Sequence, residues 1–243
     1  MLRKIARDAG AALVMGAVVS FLVYTTAGDL LSESPADALS RWSRQRVAAQ
    51  HVEALEGTVI SALGEMEIDA DHLVKWYLDH PDSKINRLWA MQPAEQKNAA
   101  VIALYIRSQN GGLKPLTAWR EAVAFVHYSK KYDVPITLTV AVANAESHFE
   151  PKARSGYGAM GIMQVVWRIH TNLLRANGIK TAKELYDPEK GIAAGTLLLS
   201  RYLRAYETPQ KALSRYYGGP VAKYWAKVSR NMARVKGWGL SEL

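Results

Sequence analysis

The chain has 243 residues, of which 49% are hydrophobic and 22% charged, and it carries a net charge of +9. That composition suits one large globular domain or two small ones and excludes a disordered, collagen-like or polytopic membrane chain. Cysteine is absent, which excludes disulfides, cysteine metal sites, a thiol nucleophile and a lipid anchor on cysteine.

The first predicted element is a run of uncharged residues from Ala9 to Gly28, preceded by Arg3, Lys4 and Arg7. As a helix it would span about 30 Å, one hydrocarbon thickness. The basic residues before it keep the N-terminus in the cytoplasm and send residues 29–243 across the membrane. A single transmembrane anchor is the expectation; a signal peptide cut after the small residues Thr25 and Ala27 competes with it. Ser32 to Pro35 reads as a linker. From Ala36 to about Ile106 apolar residues recur at helical spacing, as in Leu73, Trp76 and Tyr77, with a break at His80-Pro81-Asp82. Pro93 followed by Ala94, Glu95 and Gln96 has the pattern of a helix first turn.

Asn110-Gly111-Gly112 and Pro115 form the clearest internal punctuation. The predicted domains are therefore 1–28 (anchor or signal), 29–110 (helical, of unknown role) and 111–243. Beyond the punctuation, Thr117 to Tyr132 reads as an amphipathic helix with Trp119, Val123, Val126 and Tyr128 inward. Ile136 to Val142 alternates like a strand, yet Pro135 suits a helix start and Ala141 to Glu146 favours helix. Helix is the expectation. Leu197 to Tyr206 and Val221 to Val235 read as helices as well. The overall class is mainly α.

Residues 201–243 hold nine basic residues against Glu207 and Glu242, while residues 29–200 are balanced. A basic region of this kind suits an anionic partner: nucleic acid, a lipid surface or an acidic polymer. Gly156-Tyr157-Gly158-Ala159-Met160-Gly161 spells a dinucleotide fingerprint, but no strand leads into it and no βαβ pattern follows. The six histidines have no metal-ligand spacing, and no serine-nucleophile elbow occurs. No cofactor is implied. Glu146 ends an apolar stretch, and on a continued helix it would share a face with Val142 and Phe149. Apolar surroundings raise a carboxyl pKa, which a general acid near neutral pH requires. An ordinary glutamate at a helix end fits the same residues. Glu150 precedes Pro151 and is expected where the helix stops. Tyr216-Tyr217-Gly218-Gly219-Pro220 runs two tyrosines into a turn.

Four blocks in order over residues 116–228 carry a resemblance. They are Glu146-Ser147 with Phe149, Pro151 and Ala153; Ser155, Gly158-Ala159 and Gly161-Ile162-Met163-Gln164; Leu185-Tyr186-Asp187-Pro188 with Ile192 and Gly195; and Ala212-Leu213 through Tyr216 to Gly219-Pro220. Together they resemble the soluble-type lytic transglycosylases, bacterial envelope enzymes with a lysozyme-like, mainly helical domain. The resemblance implies that Glu146 is the catalytic acid and that Ser147 supports its orientation. Met163 and Gln164 would line the sugar groove, Tyr216 would face the reacting sugar, and Gly158 and Gly161 would form turns that admit a glycan strand. One position departs: the family usually has Asn where this chain has Tyr217. The implied substrate is peptidoglycan, cut between N-acetylmuramic acid and N-acetylglucosamine with closure of a 1,6-anhydro ring. The expected setting is the inner membrane, with residues 29–243 in the periplasm, alone or within an envelope-spanning secretion or division machine. The alternatives are a goose-type lysozyme hydrolysing the same bond and a non-catalytic glycan binder. Export argues against nucleic acid.

Overall fold

The structure is a computed structural model that describes residues 34–242. The predicted anchor, Ala9 to Gly28, lies outside the described residues. Among the described residues no helix is long and apolar enough to cross a membrane. The expected mainly helical class is observed. The elements in chain order are α1 (Pro35–Glu53), α2 (Gly57–Glu65), α3 (Ala70–Asp79), a 3-10 helix (Lys84–Ala90), α4 (Pro93–Gln109), α5 (Pro115–Tyr132), α6 (Ile136–Ser147), β1 (Ala159–Met160), β2 (Val165–Val166), α7 (Trp167–Ala176), a second 3-10 helix (Ala182–Tyr186), α8 (Pro188–Ala205), α9 (Pro209–Tyr217) and α10 (Val221–Gly237).

Residues 34–55 and 68–81 form one compact unit. Ser34, expected within a linker, caps α1: its hydroxyl accepts from the Asp37 N–H, and Pro35 opens the helix. Asp69 caps α3 by accepting from the His72 N–H at 2.8 Å. The two helices pack together, with the His51 ring edge-on to Tyr77. The helical pattern predicted over 36–106 is interrupted at Ala54 and again at Met66, as well as at Pro81. No Gly-Pro punctuation marks the first two breaks, and periodicity alone runs straight through them.

Residues 56–67 and 82–242 form the second unit. Its centre is α6, whose residues from Ile136 to Ala145 are all buried. A helix apolar on every side needs neighbours on every side, and α5 and α10 flank it. Its polar groups are matched individually. Thr139 accepts from the Ser129 hydroxyl at 3.1 Å, Asn144 donates to the Tyr105 hydroxyl at 2.8 Å, and Asn231 of α10 donates to the Ala141 carbonyl. The Glu242 carboxylate accepts from the Ile136 N–H at 2.8 Å and from the Thr137 hydroxyl. It therefore caps α6 from the far end of the domain, where a negative charge also suits the helix dipole. Trp119, Val123, Val126 and Tyr128 of α5 are buried, as expected.

A second fastening joins α5 to the start of α8. The Arg120 guanidinium reaches Asp187 at 2.7 Å and Glu189 at 3.0 Å, and Glu189 also accepts from the Lys84 N–H. Asp187 caps α8 in turn, accepting from the Lys190 N–H, with Pro188 in the first turn. Helix α8 thus begins nine residues before the predicted Leu197, because Gly191 and Gly195 weaken the periodic signal in its first half.

Glu121 of α5 is fully buried, and neither carboxyl oxygen has a hydrogen-bond partner among the described residues. Burial pushes its pKa well above the usual carboxylate range; the Glu150 charge adds to this and Arg120 opposes it. A folded-state pKa above the unfolded value costs nothing while both states are protonated. It erodes stability as pH rises past the unfolded value. Glu121→Met is therefore expected to raise Tm, with a gain larger at about pH 8 than at about pH 5. Thermal melts across pH test this.

Candidate active site

Helix α6 delivers Glu146 at its last turn, and the way the helix stops decides where the carboxylate points. His148 and Phe149 both adopt left-handed backbone, with φ of 52° and 62°. Two such non-glycine residues cost about 1–3 kcal/mol each. Phe149 offsets this cost: it is fully buried, edge-on to Tyr105 and Phe125 at ring-centroid distances of 5.9 and 6.2 Å. The turn therefore sends Phe149 into the core while Glu146 stays at the rim. This corrects the expectation that Glu146 and Phe149 share a helical face, since the helix ends at Ser147, before Phe149 and Glu150.

The Glu146 Oε1 accepts from the Tyr224 hydroxyl at 2.5 Å. Lys227, one turn further along α10, donates its ammonium to the Ala145 carbonyl. Burial raises the Glu146 pKa; the Tyr224 hydrogen bond and the Lys227 charge pull it down, and the net direction is up. Among the described residues no other carboxylate contributes to that shift. Burial and the neighbouring Glu146 charge also push the Tyr224 hydroxyl far above its usual range, so it remains a donor. Neither Tyr224 nor Lys227 falls within the motif blocks that carry the resemblance. The available signal was their register with Asn231: three polar groups at i, i+3 and i+7, on the stripe of α10 that also holds the buried Val228 and Val235.

The other predicted residues converge on the same region by different means. The Ser147 hydroxyl donates to the Ile162 carbonyl at 2.7 Å and accepts from the Glu150 N–H at 3.1 Å. It thereby staples the end of α6 to the segment carrying Met163 and Gln164. Tyr216 donates to the Met163 carbonyl at 2.7 Å and lies within electrostatic reach of Glu146. The Met163 side chain is fully buried against Gly195, where an added Cβ would come within 2.3 Å of it. Gln164 is half-buried, with its amide donating to the Gly161 carbonyl at 3.0 Å. Gly161 has φ of +74°, and a Cβ there would sit 2.0 Å from the Leu185 carbonyl oxygen, so only glycine fits. Gly158 has φ of +91° with open space beside it. The two glycines bracket β1, which pairs antiparallel with β2. The apparent nucleotide fingerprint is thus a small hairpin.

Residues 124–236 match the family model for the transglycosylase SLT domain. The region contains Glu146, Ser147, the hairpin, Tyr216 and Tyr224. This region is similar to the transglycosylase SLT domain. A transglycosylase of Enterobacteria phage PRD1 is 31% identical over 113 residues, covering 46% of this chain and 39% of the relative. A membrane-bound lytic murein transglycosylase C of Yersinia enterocolitica is 38% identical over 96 residues, covering 37% of this chain and 26% of the relative. Its counterpart in Serratia proteamaculans is 35% identical over 105 residues, covering 37% and 29%. The chain thus spans less than two-fifths of the length of these curated relatives. No solved structure matches.

An open cavity of about 500 Å³ lies between α7 and α8, lined by Arg168, His170, Asn172, Arg201 and Tyr202 among others. Tyr202 meets Tyr216 edge-on at 6.4 Å, which connects the cavity wall to the Glu146 region. Neither Arg168 nor Arg201 has an ion-pair partner among the described residues. Arg168 instead lies over the exposed Tyr157 ring at 4.4 Å.

The Tyr224 hydrogen bond stabilises the ionised form of Glu146, so removing it should raise the acid's pKa further. Tyr224→Phe is expected to move the Glu146 titration to higher pH. Carbon NMR of the labelled glutamate side chain reads this directly, whatever the substrate.

Proposed function

We propose that the protein is a peptidoglycan lytic transglycosylase in which Glu146 acts first as acid and then as base. The observation that carries this reading is the single half-buried carboxyl with a raised pKa, held by Tyr224 within an SLT domain. A raised pKa favours the protonated form, which the acid needs in order to give its proton to the glycosidic oxygen between N-acetylmuramic acid and N-acetylglucosamine. As that bond breaks, positive charge develops at the muramic anomeric carbon. The carboxylate left behind is then placed to accept the proton of the same sugar's 6-hydroxyl, which attacks the anomeric carbon and closes the 1,6-anhydro ring. The nucleophile is intramolecular, so no activated water is needed.

Hydrolytic glycosidases normally set a second carboxylate at a fixed separation. The released product distinguishes the anhydro route from the goose-type lysozyme reaction. Ser147, through the Ile162 carbonyl, and Tyr216, through the Met163 carbonyl, fix a wall formed by the segment carrying Met163 and Gln164. In this reading the wall is the glycan groove of a lysozyme-like domain, with Gln164 and the Gly158 turn along its edge. The unpaired arginines beside it suit a substrate bearing carboxylates.

We further propose that Ala9 to Gly28 anchors the chain in the inner membrane with the catalytic domain in the periplasm. The support is the charge pattern around that run and the membrane-bound description of the relatives. Any assembly with a larger envelope machine would then involve residues 29–110, for which the resemblance offers no role.

Residues 29–243 incubated with peptidoglycan sacculi should release fragments lighter by one water than hydrolysis products. Glu146→Gln should reduce release about 1,000-fold. Mass spectrometry of the soluble fragments is the test. Reducing-end fragments would indicate a lysozyme. Absence of fragments from either protein would remove the catalytic reading.

A further inference from the structure

Tyr217 occupies the one motif position where this chain departs from the soluble-type pattern, and its placement is specific. It is the last residue of α9, which Gly218 terminates with φ of +72° and an N–H bonded to the Ser214 carbonyl at 2.9 Å. The Gly218-Gly219-Pro220 turn then leads directly into α10. One turn into α10 stands Tyr224. The reversal brings the two rings face to face, with centroids 4.4 Å apart and planes within 8°. Gly219 closes on the Tyr217 ring, since a Cβ there would stand 3.0 Å from a ring carbon. A larger residue would therefore press on the stack.

The two rings differ in exposure. Tyr224 is 6% exposed and Tyr217 is 51% exposed. Tyr217 is thus the outer member, and the inner member spends its hydroxyl on Glu146. An asparagine at this position could not cover an aromatic ring of that area. Stacked aromatic pairs gain stability beyond the area they bury, enough to favour one orientation of Tyr224 several-fold.

We propose that Tyr217 is a positioning residue: its ring roofs Tyr224, fixes the direction of the Tyr224 hydroxyl, and through it holds Glu146 in its working rotamer away from water. This rests on the acid role proposed for Glu146, and it assigns a function to the chain's departure from the family motif. The hydroxyl of Tyr217 plays no part; the ring does.

The test uses Tyr217→Phe and Tyr217→Asn, read by steady-state kinetics on soluble peptidoglycan fragments and by carbon NMR titration of Glu146. Tyr217→Phe keeps the ring and should match the parent in both. Tyr217→Asn should lower kcat about tenfold with KM within about twofold, because misplacing the acid affects the reacting state more than binding. It should also raise the Glu146 pKa, in the direction expected for Tyr224→Phe, because a displaced Tyr224 hydroxyl no longer stabilises the ionised form. The alkaline limb of kcat should then move to higher pH.

A raised KM with unchanged kcat and unchanged titration in Tyr217→Asn would overturn the proposal and make Tyr217 a sugar-stacking residue. Equal losses in Tyr217→Phe and Tyr217→Asn would also overturn it, by assigning the effect to the hydroxyl. If the parent protein releases no anhydro fragments, the activity reading fails. The NMR titration then still decides whether Tyr217 governs the environment of Glu146. Tyr217 is half exposed, so the variants should fold; melting curves check this, and Tyr217→His supplies a smaller ring if the Asn variant does not.

Discussion

The structure depends on burying α6 along its whole length. A helix with Ile136 to Ala145 out of water must be enclosed before it is stable, and the enclosing helices are what bring distant segments to its end. Each neighbour has a second task. Helix α5 supplies Phe125 against Phe149, and α10 supplies Tyr224 and Lys227 at the last turn. The site is therefore a by-product of enclosure: the helices that pack on α6 also determine the surroundings of its terminal carboxylate. This explains why Glu146 can be partly desolvated without being sealed. It sits where the apolar helix emerges from its sheath.

Holding a chargeable group at such a boundary sets opposing demands. Desolvation alone would raise the pKa of Glu146 without limit on its orientation, leaving a neutral carboxyl free to rotate. A donor alone would fix its direction but favour the charged form. Tyr224 and Lys227 provide orientation at a partial cost to the raised pKa, and burial retains the larger share. Elsewhere the fold tolerates no comparable compromise. Glu189 is matched by Arg120 and a backbone N–H, and Glu95 by Lys130 and the Gln92 N–H. Glu121 is the exception, a buried acid with no hydrogen-bond partner among the described residues and only the Arg120 charge to offset its burial, and the physical argument assigns it a destabilising effect.

Much of this was legible in the sequence where local chemistry is strong. The helix over Ile136–Ser147, the inward residues of α5 and the break at Asn110-Gly111-Gly112 follow from periodicity and turn residues. Glu146 stands out in the sequence as a lone glutamate ending a long apolar run, a pattern an ordinary helix-end glutamate fits equally; its proposed acid role comes from the motif blocks, which also pick out Ser147, Met163, Gln164 and Tyr216. What could not be read was partnership across the fold. The Tyr224 side chain looks like any aromatic on an amphipathic helix until α10 is laid against α6. The double left-handed turn at His148 and Phe149 was equally hidden, because neither residue favours that conformation and only burial of the Phe149 ring enforces it. The breaks after α1 and α2 carry only the single glycines Gly57 and Gly64, with no proline or glycine pair, so a periodic reading carries across them.

The Glu242 cap on α6 bears on the order in which the domain can be built. Ile136 and Glu242 are 106 positions apart, so the helix that carries the acid emerges from the ribosome long before its N-terminal cap exists. At about 5–20 residues per second, roughly 5–20 s separate the two events. During that interval α6 also lacks α10, one of the two helices that flank it, and an all-apolar helix without partners has little to hold it. The domain's core is thus completed late, from its C-terminal side. In the exported arrangement proposed above, such delayed closure would keep the chain extended while it is still in transit through a translocation channel.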